Sequence, residues 1–194
     1  MVATDFAITV LLLGKEDVGK SSLAQTFVEG RHDPTAISPT VEDMYECATE
    51  ISPGRVETLH IEDIGGGAQP ALRQAHIRRA QGFILVYDIT DSESFRTVIK
   101  LRKEVEEARG RSVPIYVVGN KLDLEGIKRQ VFADEVRSWA LTQSATFYEV
   151  SARTGANASQ PFVDIARAIA STKVAKRGKV SLRSTLAAVS KSTM

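Results

Sequence analysis

The segment Gly14-Lys15-Glu16-Asp17-Val18-Gly19-Lys20-Ser21 sets glycine, lysine and a hydroxyl at the spacing G-x-x-x-x-G-K-[ST], directly after an apolar run. Glycines let successive backbone N–H groups turn inward around phosphate oxygens, and a helix that starts at the end of such a loop aims its positive end at the same anion. Lys20 is then the cation for the β- and γ-phosphates of a nucleotide, and the Ser21 hydroxyl is a ligand for Mg²⁺. The loop by itself names no base, because ATPases and nucleotide kinases use the same cradle.

A second group, Asn120-Lys121-Leu122-Asp123, follows the apolar run Val113 to Gly119 at the kind of edge where open α/β sheets bind ligands. These residues resemble the N-K-x-D signature of the GTPase family, which implies that the Asp123 carboxylate accepts two hydrogen bonds from guanine, at N1–H and the exocyclic amino group. Adenine presents an acceptor at N1, so losing both bonds discriminates between the bases by about 10⁴.

Both loops must reach one edge of one sheet, and the hydropathy pattern supplies the elements. Apolar runs of strand length alternate with longer amphipathic stretches, which predicts an α/β fold with helices on both faces. Strands are expected at Phe6 to Leu13, Val41 to Ile51, Val56 to Glu62, Phe83 to Asp88, Val113 to Gly119 and Thr146 to Val150. Helices are expected at Lys20 to Glu29, Gln69 to Ala80, Ser92 to Arg109, Val131 to Thr142 and Ala158 to Ala170. Ser52-Pro53-Gly54 joins the second and third strands as a hairpin, so a six-stranded, mostly parallel sheet with one antiparallel strand is expected.

In order and spacing with the phosphate loop, N-K-x-D and the later Ser151-Ala152-Arg153 resemble the P-loop small GTPases of the Ras superfamily, such as Ras, Rap and Rab. The resemblance runs from about Phe6 to Ala170, and Val86-Tyr87-Asp88-Ile89-Thr90 with Ser94-Phe95 adds to it. It implies that the Ala152 N–H meets the guanine carbonyl. Ser38-Pro39-Thr40-Val41-Glu42-Asp43-Met44-Tyr45 resembles the first switch, in which Thr40 would ligate Mg²⁺ and sense the γ-phosphate. Asp63-Ile64-Gly65-Gly66-Gly67 resembles the D-x-x-G element, with Asp63 holding Mg²⁺ through a water and the Gly66 N–H meeting the γ-phosphate. The implied nucleotide set is Gly14, Glu16, Asp17, Val18, Gly19, Lys20, Ser21, Ser22, Pro39, Thr40, Asp63, Gly66, Asn120, Lys121, Asp123, Ser151, Ala152 and Arg153. Within it, Lys20, Thr40 and Gly66 are the expected catalytic residues, and Ser21, Thr40 and Asp63 the expected metal ligands. His32 falls where relatives stack an aromatic ring on the base, and reads equally well as a histidine in a solvated loop.

Two positions depart from the family. Ras-like relatives usually place after the D-x-x-G glycine a glutamine that orients the attacking water, and here that residue is Gly67. Glu16 stands where Ras has a small glycine, close to the γ-phosphate and in the space that an arginine finger needs. The expectation is a GTP/GDP switch that hydrolyses GTP slowly, with a non-hydrolysing, GTP-bound scaffold as the alternative. Gln69 or a partner's residue could stand in for the glutamine, as Rap-like proteins borrow one from their activator. A nucleotide kinase is opposed by Asn120 to Asp123 and by the lack of an acceptor-binding lid.

The chain has 194 residues, 43% of them hydrophobic and 25% charged, which suits one soluble globular domain. Residues 1–171 are expected to form the nucleotide-binding domain and 172–194 a basic tail. A net charge of +1 gives no overall field demanding nucleic acid. The lone Cys47 points to a reducing compartment, and no apolar run is long enough to span a membrane, so a cytoplasmic monomer is expected. Neither Met1-Val2 nor Lys191-Ser192-Thr193-Met194 offers a lipidation signal, so the tail is expected to be a disordered, solubilising one, with weak contact with the anionic inner membrane surface as the alternative. Expected protein partners are effectors at Thr40 to Tyr45 and Asp63 to Gln69, with an exchange factor and an activating protein.

Overall fold

The computed structural model describes residues 7–31 and 40–172; Phe6, His32, Ser38, Pro39 and the tail beyond 172 lie outside them. The order is β1 (Ile8–Leu13), α1 (Lys20–Glu29), β2 (Glu42–Ser52), β3 (Arg55–Ile64), α2 (Pro70–Arg79), β4 (Gly82–Asp88), α3 (Ser92–Arg109) and β5 (Ile115–Asn120). A 3₁₀ turn at Leu122–Leu124 then runs into α4 (Glu125–Lys128), followed by α5 (Ala133–Thr142), β6 (Thr146–Glu149) and a helix, α6, over residues 160–172. The strands form one sheet in the order β2-β3-β1-β4-β5-β6. Only β2 is antiparallel, paired with β3 through a two-residue turn at Pro53-Gly54 in which Gly54 takes φ 73°. The six expected strands and five expected helices are present.

Strand alternation divides the core into two layers. Val10, Leu12, Ile84, Val86 and Val118 face α1 and α6, meeting Leu23, Phe162 and Ile165. Leu11, Leu13, Phe83, Leu85 and Val117 face α2, α3 and α5, meeting Ile77, Val98, Val105 and Val136. Helices therefore cover both faces.

Two of the shifted boundaries have clear local reasons, and one short element was not expected. Strand β5 begins after Pro114, which has no N–H to give and offers only its carbonyl, to Phe83 N. Helix α5 begins after Val131, whose N–H is held by the Ile89 carbonyl at 3.0 Å. The short helical stretch from Leu122 to Lys128 carries no apolar period, and nothing in the sequence pattern marked it. Because β1, β3, β4, β5 and β6 run parallel, Leu13, Ile64, Asp88, Asn120 and Glu149 all end at one edge of the sheet.

Candidate functional site

The loop from Gly14 to Ser21 turns off the end of β1 at that edge. A Cβ on Gly14 would collide with the Val86 carbonyl, so only glycine lets the loop lie this close to β4. Gly19 takes φ 88°, the left-handed region, and a Cβ there would strike Asn120 Nδ2. Helix α1 starts with no side-chain cap and no acidic residue in its first turn. Helix α3 differs: Asp91 caps it by accepting from Glu93 N at 2.9 Å. The first N–H groups of α1 are thus left free of side-chain acceptors, as an anion site requires.

Lys20 is buried, and its Nζ arches over the loop to donate to the carbonyls of Lys15 at 3.1 Å and Gly14 at 3.3 Å. Burial pulls its pKa below the usual lysine value, while Asp63, Glu16 and Asp17 pull the other way. Lys15 points away, to Asp91 Oδ2 at 2.7 Å.

Ser21, Thr40 and Asp63, three segments apart in sequence, meet beside the loop. Ser21 Oγ lies 2.9 Å from Thr40 Oγ1 and donates to Asp63 Oδ2 at 2.5 Å. Asp63 is fully buried, and its other oxygen, Oδ1, has no hydrogen-bond partner. Burial raises its pKa, with the Ser21 hydrogen bond opposing. A dry, unpaired carboxylate oxygen is costly unless a cation faces it, and hard oxygens from one carboxylate and two hydroxyls suit Mg²⁺. The residues present therefore fit that ion. The Gly65 N–H donates to the Val41 carbonyl at 3.1 Å and ties the Thr40 segment to the end of β3.

Gly66 lies directly on the backbone of Lys15 and Glu16, too close for any side chain. Gly67 has a different neighbour: a Cβ there would meet the Glu16 carboxylate. The two positions that depart from the family thus touch each other, which their separation in sequence concealed.

On the base side, buried Asn120 joins three loops. Its Nδ2 donates to the Val18 carbonyl at 2.9 Å, and its Oδ1 accepts from Ala152 N at 3.0 Å. The Ala152 N–H, assigned by resemblance to a guanine carbonyl, is therefore already engaged and can serve a base only by sharing its hydrogen. Asp123 accepts from Ser151 Oγ at 2.6 Å through Oδ1. Its Oδ2 sits 3.9 Å from Arg153 Nη1, which leaves that oxygen room for a further donor. Lys121, at φ 67°, reaches Asp88 Oδ2 at 2.6 Å. Sequence reasoning missed Asp88, and Thr26, whose hydroxyl donates to the Ala152 carbonyl at 2.9 Å. Asp88 stood in the Val86 to Thr90 stretch without a role of its own, and no local signal marked Thr26.

The Ras family model matches residues 9–171. The chain is 34% identical over 185 residues to the bovine (Bos taurus) Ras-related and estrogen-regulated growth inhibitor, covering 94% of this chain and 91% of that protein. Against GTP-binding protein drn-1 of Caenorhabditis elegans it is 34% identical over 157 residues, 79% of this chain and 71% of that one. Against mouse (Mus musculus) Ras-related protein R-Ras it is 33% identical over 163 residues, 82% and 73% of the two chains. With a phosphate loop, a buried carboxylate among hydroxyls and an N-K-x-D loop at one sheet edge, and with relatives matched over most of its length, the chain belongs to the Ras family of small GTP-binding proteins.

Proposed function

We propose that this protein is a GTP/GDP signalling switch whose own hydrolysis of GTP is slow. The contact between Glu16 and Gly67 carries the reading: a carboxylate lies over the glycine where relatives begin a glutamine side chain. Residue 67 has nothing with which to orient a water, and Glu16 puts negative charge at the mouth of the phosphate loop. That charge repels the γ-phosphate, and the side chain fills space that an arginine finger would use; such a finger is worth about 10³ to 10⁵ in rate.

On this proposal each residue of the site has a role. Gly14 and Glu16 to Ser22 hold the phosphates, with Lys20 as the cation at their centre. Ser21, Thr40 and Asp63 hold Mg²⁺, which when bound neutralises charge on the phosphate oxygens. Gly66, resting on the loop, offers its N–H to the γ-phosphate. Asn120, Lys121, Asp123, Ser151, Ala152 and Arg153 form the base side, with Asp123 selecting guanine. Thr40 senses the γ-phosphate, and its release on hydrolysis frees the segment that follows. Val41 and Met44 in that segment are 79% and 64% exposed, apolar surface that suits effectors.

The domain spans residues 1–171, with 172–194 as a basic tail able to touch an anionic membrane surface. The protein acts as a cytoplasmic monomer, served by an exchange factor and an activating protein. Among the described residues no helix is long and apolar enough to cross a membrane. A GTP-bound scaffold without hydrolysis is the limiting form of the same reading and rests on the same contact.

Nucleotide extracted from freshly purified protein, and again after hours of incubation, tests the proposal. GTP that persists, together with Mg²⁺-dependent binding of labelled GDP that excess ATP does not displace, is the expected result. Equal displacement by ATP overturns the choice of guanine, and rapid conversion to GDP overturns the slow step.

A further inference from the structure

Outside the phosphate and base loops, one buried side chain touches two strands at once. His76, in α2, is 2% exposed. Its Nδ1 lies 2.8 Å from Glu62 Oε2 on β3, and its Nε2 lies 3.2 Å from Glu42 Oε1, at the first residue of β2. Arg79 closes the group, with Nε 3.0 Å from Glu62 Oε1 and Nη2 3.6 Å from Glu42 Oε1. The same Nη2 is 3.0 Å from His76 Nδ1.

The register explains why these groups meet. Glu42 pairs with Ile64, and Met44 pairs with Glu62, so Glu42 and Glu62 share a face of the sheet. On that face Ile64 packs with Ile77 of α2, and the helical period sets Arg79 beside His76.

The placement matters because each partner adjoins a nucleotide-sensing residue. Glu62 precedes Asp63, Glu42 lies just beyond Thr40, and α2 follows the Asp63 to Gly67 element. The two carboxylates differ in environment. The Glu62 side chain is 9% exposed and depends on His76 and Arg79, because a buried carboxylate without partners is strongly disfavoured. The Glu42 side chain is 48% exposed and can exchange the ring for water. The contact with Glu62 is therefore the fixed end, and the contact with Glu42 the separable one.

We propose that His76 is a positioning residue that couples the Thr40 segment to α2, so that the effector strand and this helix respond to nucleotide together. The inference rests on the switch reading above. When the Thr40 segment withdraws, Glu42 leaves the ring, and α2 loses its tie to β2 while keeping its tie to β3.

Amide hydrogen exchange on the full chain, loaded with Mg·GDP or with Mg²⁺ and a non-hydrolysable GTP analogue, tests this in the parent protein, Glu42→Gln, His76→Gln and the double variant. In the parent, α2 exchange differs between the two nucleotides by about 5-fold or more. Either single change at least halves that difference, leaving the part that reaches α2 through Gly66, and the double change lowers it no further. Residues 40–45 go on responding to nucleotide in all four proteins. A single variant that keeps the full α2 difference, or single effects that multiply in the double variant, overturns the coupling. Should His76→Gln fail to fold, Glu42→Gln decides, because its side chain is half exposed and isosteric. If residues 40–45 of the parent do not respond to nucleotide at all, the switch reading fails first and the coupling falls with it.

Discussion

The two halves of the nucleotide edge are built differently. On the base side, Asn120 is 2% exposed and clamps Val18 to Ala152 with hydrogen bonds of 2.9 and 3.0 Å, while Ser151 fixes Asp123 at 2.6 Å. On the sensing side, Thr40 is held through Ser21 at 2.9 Å and through the Gly65 to Val41 backbone bond, and Glu16 lies exposed over Gly67. The first half has buried contacts that a nucleotide need not disturb. The second has a few exchangeable ones, suited to coupling energies of about 1–3 kcal/mol that a single phosphate can tip.

The largest effect should follow from breaking the base side. On the proposed role of Asp123, Asp123→Ala removes two charge-assisted hydrogen bonds to guanine, roughly 1.5–3 kcal/mol each, so titration with labelled GDP should show affinity falling by about 10² to 10⁴. Asn120→Ala leaves the Val18 carbonyl and the Ala152 N–H buried and unpaired. It should destabilise the nucleotide-free protein by about 2–4 kcal/mol and lower Tm by about 5–15 °C, read by thermal melting. A Tm within 2 °C of the parent, on the order of half a kcal/mol, would remove Asn120 from the centre of this half.

Changes on the sensing side should discriminate between nucleotides rather than destabilise. Thr40→Ala should weaken binding of a GTP analogue by about 10-fold while leaving GDP nearly unchanged, since on the proposed role one contact to a charged group is lost only in the triphosphate state. Equal losses for both would mean that Thr40 binds without sensing.

The smallest effect marks where the responsive region ends. Burial pushes the Cys47 thiol above its ordinary value, so at pH 8 less thiolate is present than in a free cysteine. Alkylation should be slower by about 3-fold or more and speed up as pH rises through the elevated pKa. The rate should be the same with GDP or a GTP analogue bound, because Cys47 lies further along β2, paired with Leu59. Nucleotide-dependent labelling would extend the responsive region into the sheet.

Sequence made the phosphate loop, the N-K-x-D loop, the Ser151-Ala152-Arg153 element and the six strands legible, because each is a local pattern with a local cause. Gly14 and Gly19 are required by close approaches, and their spacing announces it. The double role of Asn120 and the engagement of the Ala152 N–H were not legible, since they depend on loops from three strand ends arriving together. Nothing in sequence marks the His76 cluster, since His76 is one polar residue of a largely polar helix, and only the β2–β3 register brings Glu42 and Glu62 beneath it. Glu16 and Gly67 each stood out as a departure, but their contact is a product of the fold alone.

That contact is the account's most exposed point, and single-turnover release of phosphate from pre-loaded GTP reaches it directly in the parent, Glu16→Gly, Gly67→Gln and the double variant. A parent rate below about 10⁻⁴ s⁻¹ is expected, set against a Ras rate of a few times that, with Glu16→Gly and Gly67→Gln each raising it and the double variant the fastest, because the Glu16 carboxylate must swing aside for any side chain at residue 67. A parent rate of about 10⁻³ s⁻¹ or above that none of the three variants alters would contradict it.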